Sequence, residues 1–214
     1  SSRGVGLKYS REENPTVMAL EKVISRLEGS EDSLCFNSGM ASISSIYLNA
    51  LKSGKNIVIT SEAYGTSIKL AEELSKFGVK VKKAFPSADD IVSRIDSDTG
   101  MVFIEVMTNP TLKVIDVDHV SERTKELGIK FIVDNTFLSP YYFKPLKHGA
   151  DLSIESLTKY LSGHNDVIGG SVSGSKEKIL DIWEWRRMLG TIMNPISAYL
   201  VIRGIKTLGV RMER

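Results

Sequence analysis

Short apolar runs alternate with amphipathic stretches along this chain, and this alternation is the strongest constraint on its fold. β-Branched runs predict strands at residues 56–60, 79–85, 101–106, 129–134 and 151–156. Between them, apolar residues recur at three and four positions over 67–77 and 117–127, as on helices that face a sheet. Strands separated by helices predict βαβ crossovers, and hence an α/β fold with a mostly parallel central sheet flanked by helices.

Length and composition narrow the class of protein. The 214 residues suffice for one large domain, and no linker or low-complexity tract suggests an internal boundary. A formal net charge of +2 gives no electrostatic reason to expect a nucleic-acid partner. The sequence has no apolar run of about 20 residues and no signal peptide at its start, so we expect a cytoplasmic protein without a membrane partner.

Cysteine and histidine give no sign of a metal site. Cys35 is the only cysteine, so it forms neither an intrachain disulfide nor a CxxC site, and we interpret it as a buried apolar residue. His148 and His164 lack partners at the spacing of metal ligands. We therefore expect no metal.

Ligands of open parallel sheets bind beyond the carboxyl ends of the strands, where helix N-termini also point. Polar segments at predicted strand ends or turns are therefore the candidates, at 37–40, 108–110, 134–136 and 156–159. The turn at Ser38, Gly39 and Met40 opens a predicted helix, whose free N–H groups suit a phosphate. Taken alone, such a turn is more often a plain connection.

Two of these segments carry groups suited to covalent chemistry. Lys159 follows the hydroxyls of Ser156 and Thr158, so an amine that forms an imine stands beside donors for a phosphate. A solvated loop lysine is the alternative. Asp134 ends an apolar strand, where a carboxylate needs a cation or hydrogen-bond donors; a protonated pyridine nitrogen would serve. The alternative is an aspartate that caps the next turn.

Two further side chains fit the same site less specifically. Tyr64 precedes a predicted helix and could stack on a cofactor ring or take part in proton transfer, although packing at a helix start is equally compatible. Asn109 could donate a hydrogen bond to a phenolic oxygen, or could simply be a turn asparagine before Pro110.

Long, ordered stretches of the chain resemble the Cys/Met-metabolism family of pyridoxal-phosphate enzymes, which includes cystathionine γ-synthase, cystathionine γ-lyase, methionine γ-lyase and O-acetylhomoserine sulfhydrylase. The resemblance covers nearly the whole chain. It rests on YSREENPT at 9–16, NSGMASI at 37–43, AYGTS at 63–67, TNPTLKVID at 108–116, VDNTFLSP at 133–140, SLTKYLSGHNDVIGG at 156–170 and NPISAYLVIRGIKTLGVRME at 194–213.

The resemblance implies the fold type I of pyridoxal-phosphate-dependent transferases and assigns catalytic roles. Lys159 would form the Schiff base with pyridoxal 5'-phosphate and move protons between the α- and β-carbons of the substrate. Asp134 would pair with the ring nitrogen, and Tyr64 would stack on the ring and assist the leaving group. Asn109 would contact the phenolic oxygen or the substrate.

The phosphate of the cofactor would be held by four residues of the same chain. By the resemblance, Gly39 and Met40 would bind it through backbone amides, and Ser156 and Thr158 through hydroxyls.

The resemblance also implies an oligomer. Residues 1–16 would form an arm that reaches a neighbouring subunit, where Tyr9 and Arg11 would hold the partner's cofactor phosphate, while residues 17–214 would form the cofactor-binding domain. Each active site would then need two chains, so we expect at least a dimer, and a tetramer by analogy with the family. The smaller C-terminal domain of related enzymes, which grips the substrate carboxylate, is expected to be absent from this sequence.

Three departures from the family pattern stand out. Val106 and Met107 replace the usual Ser or Thr followed by Pro before the TNP triplet, which leaves the shape of that loop open. Glu155 stands where His is frequent, and strand alternation should place it on the face opposite Ser156. Thr66 stands where methionine γ-lyases often have Cys, which weighs against methionine as the substrate.

We therefore predict a γ-replacement or γ-elimination enzyme that acts on cystathionine or an O-acylhomoserine, with the choice between these reactions left open. The alternative is a truncated module that binds the cofactor or oligomerises without turnover. A nucleotide-binding α/β protein is disfavoured because no GxGxxG turn follows any predicted strand.

Overall fold

The structure is a computed structural model that describes residues 9–214. Half of the predicted N-terminal arm, residues 1–8, lies outside the described residues. Residues 9–14 precede the first helix. Within residues 9–214, no helix is both long and apolar enough to cross a bilayer.

A single seven-stranded sheet organises the molecule, with the strand order β1-β7-β6-β5-β4-β2-β3. The strands β2 to β6 pair in parallel, whereas β7 is antiparallel to both of its neighbours. The strands are β1 (Asp32–Phe36), β2 (Asn56–Thr60), β3 (Lys80–Ala84), β4 (Thr99–Glu105), β5 (Lys130–Asp134), β6 (Leu152–Glu155) and β7 (Gly170–Gly174). The predicted mostly parallel α/β fold is confirmed.

Helices connect the strands and cover both faces of the sheet. They are α1 (Pro15–Glu28), α2 (Gly39–Ala50), α3 (Gly65–Glu73), α4 (Ala88–Ser93), α5 (Val117–Glu126), α6 (Ser139–Tyr142), α7 (Lys176–Leu189), α8 (Pro195–Ile205) and α9 (Leu208–Met212). Short 3-10 turns follow α3 at Leu74–Phe77 and α6 at Pro145–His148.

Side-chain caps explain where the longer helices begin. The side chains of Asn14, Ser38, Asp116, Ser175 and Asn194 each accept a hydrogen bond from a backbone N–H in the first turn that follows. These bonds satisfy donors that have no partner inside the helix. The start of each of these helices is therefore encoded locally.

The parallel strands are buried on both faces. Ile57 and Ile59 of β2 belong to the core beneath α2 and α7, while Val58 faces the core beneath α4 and α5. A third cluster joins α1 to α8 and includes the fully buried Cys35, as predicted. Burial on both faces explains why the central strands are uninterrupted apolar runs rather than alternating ones.

The five predicted strands are all present, with ends that differ by at most two residues. The segment Gly170–Gly174 was not predicted as a strand, because its sequence, GSVSG, contains only one large apolar residue. Its neighbours determine its conformation: β7 lies between β1 and β6, and the hydroxyls of Ser173 and Ser33 hydrogen-bond across β1 and β7 at 2.7 Å.

Candidate functional site

The antiparallel strand β7 brings the candidate segments to one edge of the sheet. In the strand register, Gly170 at the start of β7 pairs with Phe36 at the end of β1, and Ser171 pairs with Glu155 at the end of β6. The carboxyl ends of β1, β4, β5 and β6 therefore share one rim. Three of the four polar segments predicted from sequence follow these strands directly.

The first turn of α2 lies directly against the segment that follows β6. A Cβ atom added to Gly39 would lie 3.4 Å from the Cβ atom of Ser156 and 3.5 Å from its hydroxyl oxygen. Ser38 caps the helix by accepting from the N–H of Ala41 at 3.1 Å. The N–H groups of Gly39 and Met40 have no acceptor inside the helix, so the rim presents an anion-binding end.

Gly170 makes this close approach possible. A Cβ atom on Gly170 would lie 2.5 Å from the carbonyl oxygen of Ser38 and 2.7 Å from the Cα atom of Gly39. Only a residue without a side chain lets β7 pass beneath the start of α2. Sequence reasoning missed this residue, although the pair Gly169-Gly170 was a visible signal.

Lys159 lies in the turn that follows β6, and its side chain is exposed. Its backbone N–H donates to the carbonyl oxygen of Ser156 at 3.2 Å, which forms the turn. Its ammonium group has no hydrogen-bond or ion-pair partner in the described part of the chain. Thr158 differs from the expectation of a free hydroxyl, because its Oγ1 accepts from the N–H of Gly169 at 3.1 Å and donates to the carbonyl oxygen of Gly169 at 3.3 Å.

Asp134 ends β5, next to the strand that leads to Lys159. Its Oδ1 accepts a hydrogen bond from the N–H of Thr136 at 3.0 Å, so the turn-capping alternative describes a real contact. It forms no ion pair with any residue between 9 and 214. Burial raises the pKa of this carboxyl, and the hydrogen bonds from Thr136 oppose that rise. A cation beside it would be stabilising.

A second carboxyl group, which sequence reasoning missed, joins Asp134 to Tyr64. Glu105 ends β4 and is the register partner of Asp134 on β5. Its Oε1 accepts the N–H of Tyr64 at 2.6 Å. Burial and the negative charge of Asp134 raise the pKa of Glu105 to about 7, opposed by the Tyr64 N–H. An acidic residue at the end of an apolar strand was the signal that had singled out Asp134, and it applied equally here.

Tyr64 is the N-cap residue of α3, and its ring is 59% exposed. Beneath this region, Tyr47 of α2 is buried, and its pKa is raised by burial and by the charges of Asp134 and Glu105. Because Tyr64 is exposed, one face of its ring is free to contact a bound molecule. The ring of Tyr47 is buried and cannot do so.

The loop that carries Asn109 is well ordered by hydrogen bonds despite the unusual residues before it. Met107 pairs with Val114 in an isolated antiparallel bridge, and the Thr108 N–H donates to the Lys113 carbonyl oxygen at 3.0 Å. Asn109 itself is exposed. Glu62, two residues before Tyr64, contacts the Lys113 ammonium group, so this loop is tied to the segment that carries Tyr64.

Tyr9 and Arg11 lie together but apart from the other candidates. The Arg11 side chain donates to the hydroxyl of Tyr9 at 3.2 Å and to the carbonyl oxygen of Arg187 near the end of α7. The described contacts of these two residues do not include any other candidate. The structure therefore places the other candidates in segments that follow β1, β2, β4, β5 and β6, whereas the predicted place of this pair is in a neighbouring subunit.

A parallel sheet with an anion-binding helix start, a free amine and a carboxylate at one rim defines an α/β ligand-binding domain. Comparison with known proteins specifies which one. The family model for "Cys/Met metabolism PLP-dependent enzyme" matches residues 1–214. The chain belongs to this family, and the predicted resemblance and fold type are confirmed.

Individual relatives and a solved structure agree. The chain is 38% identical to cystathionine gamma-synthase/O-acetylhomoserine (thiol)-lyase of Bacillus subtilis, over 98% of this chain and 57% of the relative. It is 40% identical to cystathionine gamma-lyase of Homo sapiens (98% and 52%) and 36% identical to cystathionine beta-lyase of Coxiella burnetii (98% and 55%). The crystal structure of metB from Corynebacterium glutamicum matches with a TM-score of 0.93 at 36% identity, over 97% of this chain and 55% of that one.

Three facts follow from these matches. The predicted cofactor is confirmed, because the family is pyridoxal-phosphate-dependent. The chain spans about half the length of the curated relatives it matches. The relatives also include a cystathionine beta-lyase, a reaction that the sequence analysis had not considered.

The residues at the rim fit this cofactor. Gly39 forms a cradle that a side chain would partly fill, the first turn of α2 offers N–H groups to a phosphate, and the half-buried Asp134 lacks a cation among the described residues. The phosphate dianion of pyridoxal phosphate complements the N–H groups of α2, and its protonated ring nitrogen complements the carboxyl group of Asp134.

Proposed function

We propose that this chain is the cofactor-binding part of a pyridoxal-phosphate-dependent enzyme that carries out γ-replacement or γ-elimination on cystathionine or an O-acylhomoserine, with Lys159 as the residue that carries the cofactor. The observation that carries the proposal is the placement of the free amine of Lys159 and the carboxyl of Asp134 after adjacent parallel strands at one rim. An amine at this edge can attach the cofactor covalently, and a carboxylate beside it can keep the cofactor ring protonated.

Each residue then has a definite task. Bound pyridoxal phosphate supplies an electron sink for the electrons left when a proton leaves the α-carbon of the substrate. The amine of Lys159 holds the cofactor and, once released by the substrate, accepts and returns that proton. The carboxylate of Asp134 keeps the ring nitrogen protonated, because a neighbouring negative charge favours the protonated form.

The remaining candidates bind and orient. The N–H groups of Gly39 and Met40, with the hydroxyl of Ser156, bind the phosphate at the start of α2. Thr158 supports the phosphate site by fixing the backbone of Gly169 through the two hydrogen bonds of its hydroxyl group. The exposed ring of Tyr64 stacks on the cofactor and assists proton transfer to the leaving group.

Asn109 and the N-terminal pair complete the proposal. Asn109, exposed on its loop, contacts the phenolic oxygen of the cofactor or the substrate. Tyr9 and Arg11 bind the cofactor phosphate of a neighbouring subunit, so the active unit is at least a dimer. Two features support this assignment: the pair does not contact the other candidates of its own chain, and an exposed guanidinium is suited to bidentate binding of a dianion.

Attachment of the cofactor is the direct test. The purified chain is loaded with pyridoxal phosphate, reduced with borohydride and digested, and the labelled peptide is identified by mass spectrometry. We expect the label on Lys159 and its loss in Lys159→Ala. Lys147→Ala, which removes another exposed lysine, should keep the label. A label on any other lysine would contradict the site.

The reaction is tested on the whole protein that contains this chain. L-Cystathionine should yield cysteine, 2-oxobutanoate and ammonia by γ-elimination, and an O-acylhomoserine with cysteine should yield cystathionine by γ-replacement. Homocysteine and pyruvate from cystathionine would instead show β-elimination, the reaction for which the Coxiella burnetii relative is named. Because the chain spans about half of its relatives, turnover is proposed for the whole protein and cofactor attachment for this chain.

A further inference from the structure

Glu105 has a place at the rim that none of the tasks above explains. It ends β4 with its carboxyl group largely withdrawn from water, and within residues 9–214 no basic side chain forms an ion pair with it. Withdrawing a carboxyl group from water without a cation costs free energy, which a functional use of its hydrogen bonds would explain.

The contacts of Glu105 point to that use. Its Oε1 accepts the N–H of Tyr64 at 2.6 Å, a short hydrogen bond to the residue at the start of α3. Tyr64 has no side-chain capping bond of its own, so this contact fixes the backbone from which the exposed ring projects. On the other side, Glu105 is paired in register with Asp134. Glu105 thus links Tyr64, which is proposed to stack on the cofactor ring, to Asp134, which is proposed to pair with the ring nitrogen.

We infer that Glu105 is a positioning residue that holds Tyr64 over the cofactor ring, in register with Asp134. This inference rests on the proposed function, since it gives Glu105 a role only if the ring lies at this rim. Glu105 does not touch the reacting atoms. It acts through the position of the Tyr64 backbone, so the length of its side chain should matter more than its charge.

Two substitutions of Glu105 separate the effect of side-chain length from the effect of charge. Glu105→Asp keeps the charge but withdraws the carboxylate by one methylene from the Tyr64 N–H, whereas Glu105→Gln keeps the reach and the acceptor oxygen. The dissociation constant of pyridoxal phosphate is measured for each by the quenching of protein fluorescence. We expect Glu105→Asp to bind about tenfold more weakly than wild type, the loss that follows when one hydrogen bond is broken. Glu105→Gln should stay close to wild type.

Two controls make the result specific. Asp90→Ala removes a matched contact elsewhere, because Asp90 accepts the N–H of Phe85 at 2.6 Å, and it should leave cofactor affinity unchanged. In a Tyr64→Ala background, Glu105→Asp should add no further loss, since the two residues would act as one unit. Both Glu105 substitutions are conservative, and far-UV circular dichroism checks that each variant is folded.

The outcomes distinguish this inference from the proposed function. Equal affinity of wild type and Glu105→Asp, a larger loss in Glu105→Gln than in Glu105→Asp, or an unchanged effect of Glu105→Asp without the Tyr64 ring would overturn the positioning role while Lys159 labelling stands. A wild-type chain that gives no label at Lys159 would overturn the proposed function, and this inference with it.

Discussion

The carboxyl groups of Glu28, at the end of α1, and Glu155, at the end of β6, adjoin in the interior, where both residues are almost fully buried. Glu155 also accepts a hydrogen bond from the side-chain amide of Asn135 at 2.9 Å. Neither oxygen of Glu28 accepts a bond from a donor in the described residues. Two carboxyl groups in this position are compatible with burial when they hold a proton between them.

This pair should make the stability of the protein depend on pH. Burial raises the pKa of Glu28 to about 7, and burial together with the charges of Glu28 and Asp134 raises the pKa of Glu155 well above its usual range. The folded state therefore keeps protons that the unfolded chain releases above about pH 4.5. The free energy of unfolding should fall as pH rises from there through about 7.

Glu155→Gln tests this prediction, because glutamine keeps the acceptor for Asn135 and removes one of the two charges. Urea unfolding of the cofactor-free protein at pH 5 and pH 8 should show the variant equal to wild type at pH 5 and more stable at pH 8. The exposed Glu126→Gln is the matched control and should follow wild type at both values. A variant that is less stable than wild type at pH 8 would refute a shared proton.

The buried ion pair between Arg186 and Glu21 should be a large contributor to stability. The two side chains meet at 2.6 Å and are 2% and 5% exposed, and the guanidinium also donates to the carbonyl oxygen of Cys35 at 2.9 Å. Arg186→Leu removes the guanidinium that pairs with the buried Glu21 carboxylate. We expect the free energy of unfolding in urea to fall by about 3 to 5 kcal/mol.

An exposed pair supplies the comparison for that measurement. Arg123→Leu breaks the contact with Glu126 at 2.9 Å on the surface of α5 and should cost no more than about 1 kcal/mol. Equal effects of the two substitutions would show that burial does not govern the contribution of Arg186.

The third prediction concerns the close approach of β7 to α2. Gly170→Ala places a methyl group 2.5 Å from the Ser38 carbonyl oxygen, so the first turn of α2 must move. We expect a stability loss of about 1 to 3 kcal/mol from overpacking. Cofactor affinity should also fall by at least about tenfold, because the displaced N–H groups of Gly39 and Met40 no longer converge on the phosphate.

Gly65→Ala is the control, since a Cβ atom there meets no other atom within 4 Å. It should bind the cofactor like wild type in the same fluorescence titration. If Gly170→Ala also retained wild-type affinity, the start of α2 would not be the phosphate site.

Much of the fold could be predicted because its signals are local. The central strands are continuous apolar runs, as both of their faces are buried, and the caps at Asn14, Ser38 and Asp116 are encoded within one turn of the helix they begin. Lys159 and Asp134 were found for the same reason, since each stands at the end of a strand that the sequence makes visible. Their chemical roles stay predictions.

The sequence by itself thus determined the alternation of strands and helices, the family and the polar residues at the strand ends. Only the tertiary structure decided which of these meet. The strand β7, the clearance at Gly170, the bond from Tyr64 to Glu105 and the pairing of Glu28 with Glu155 all depend on neighbours distant in the chain. No local pattern encodes them, because the free energies of close approach and of burying a charge are set by what surrounds a residue after folding.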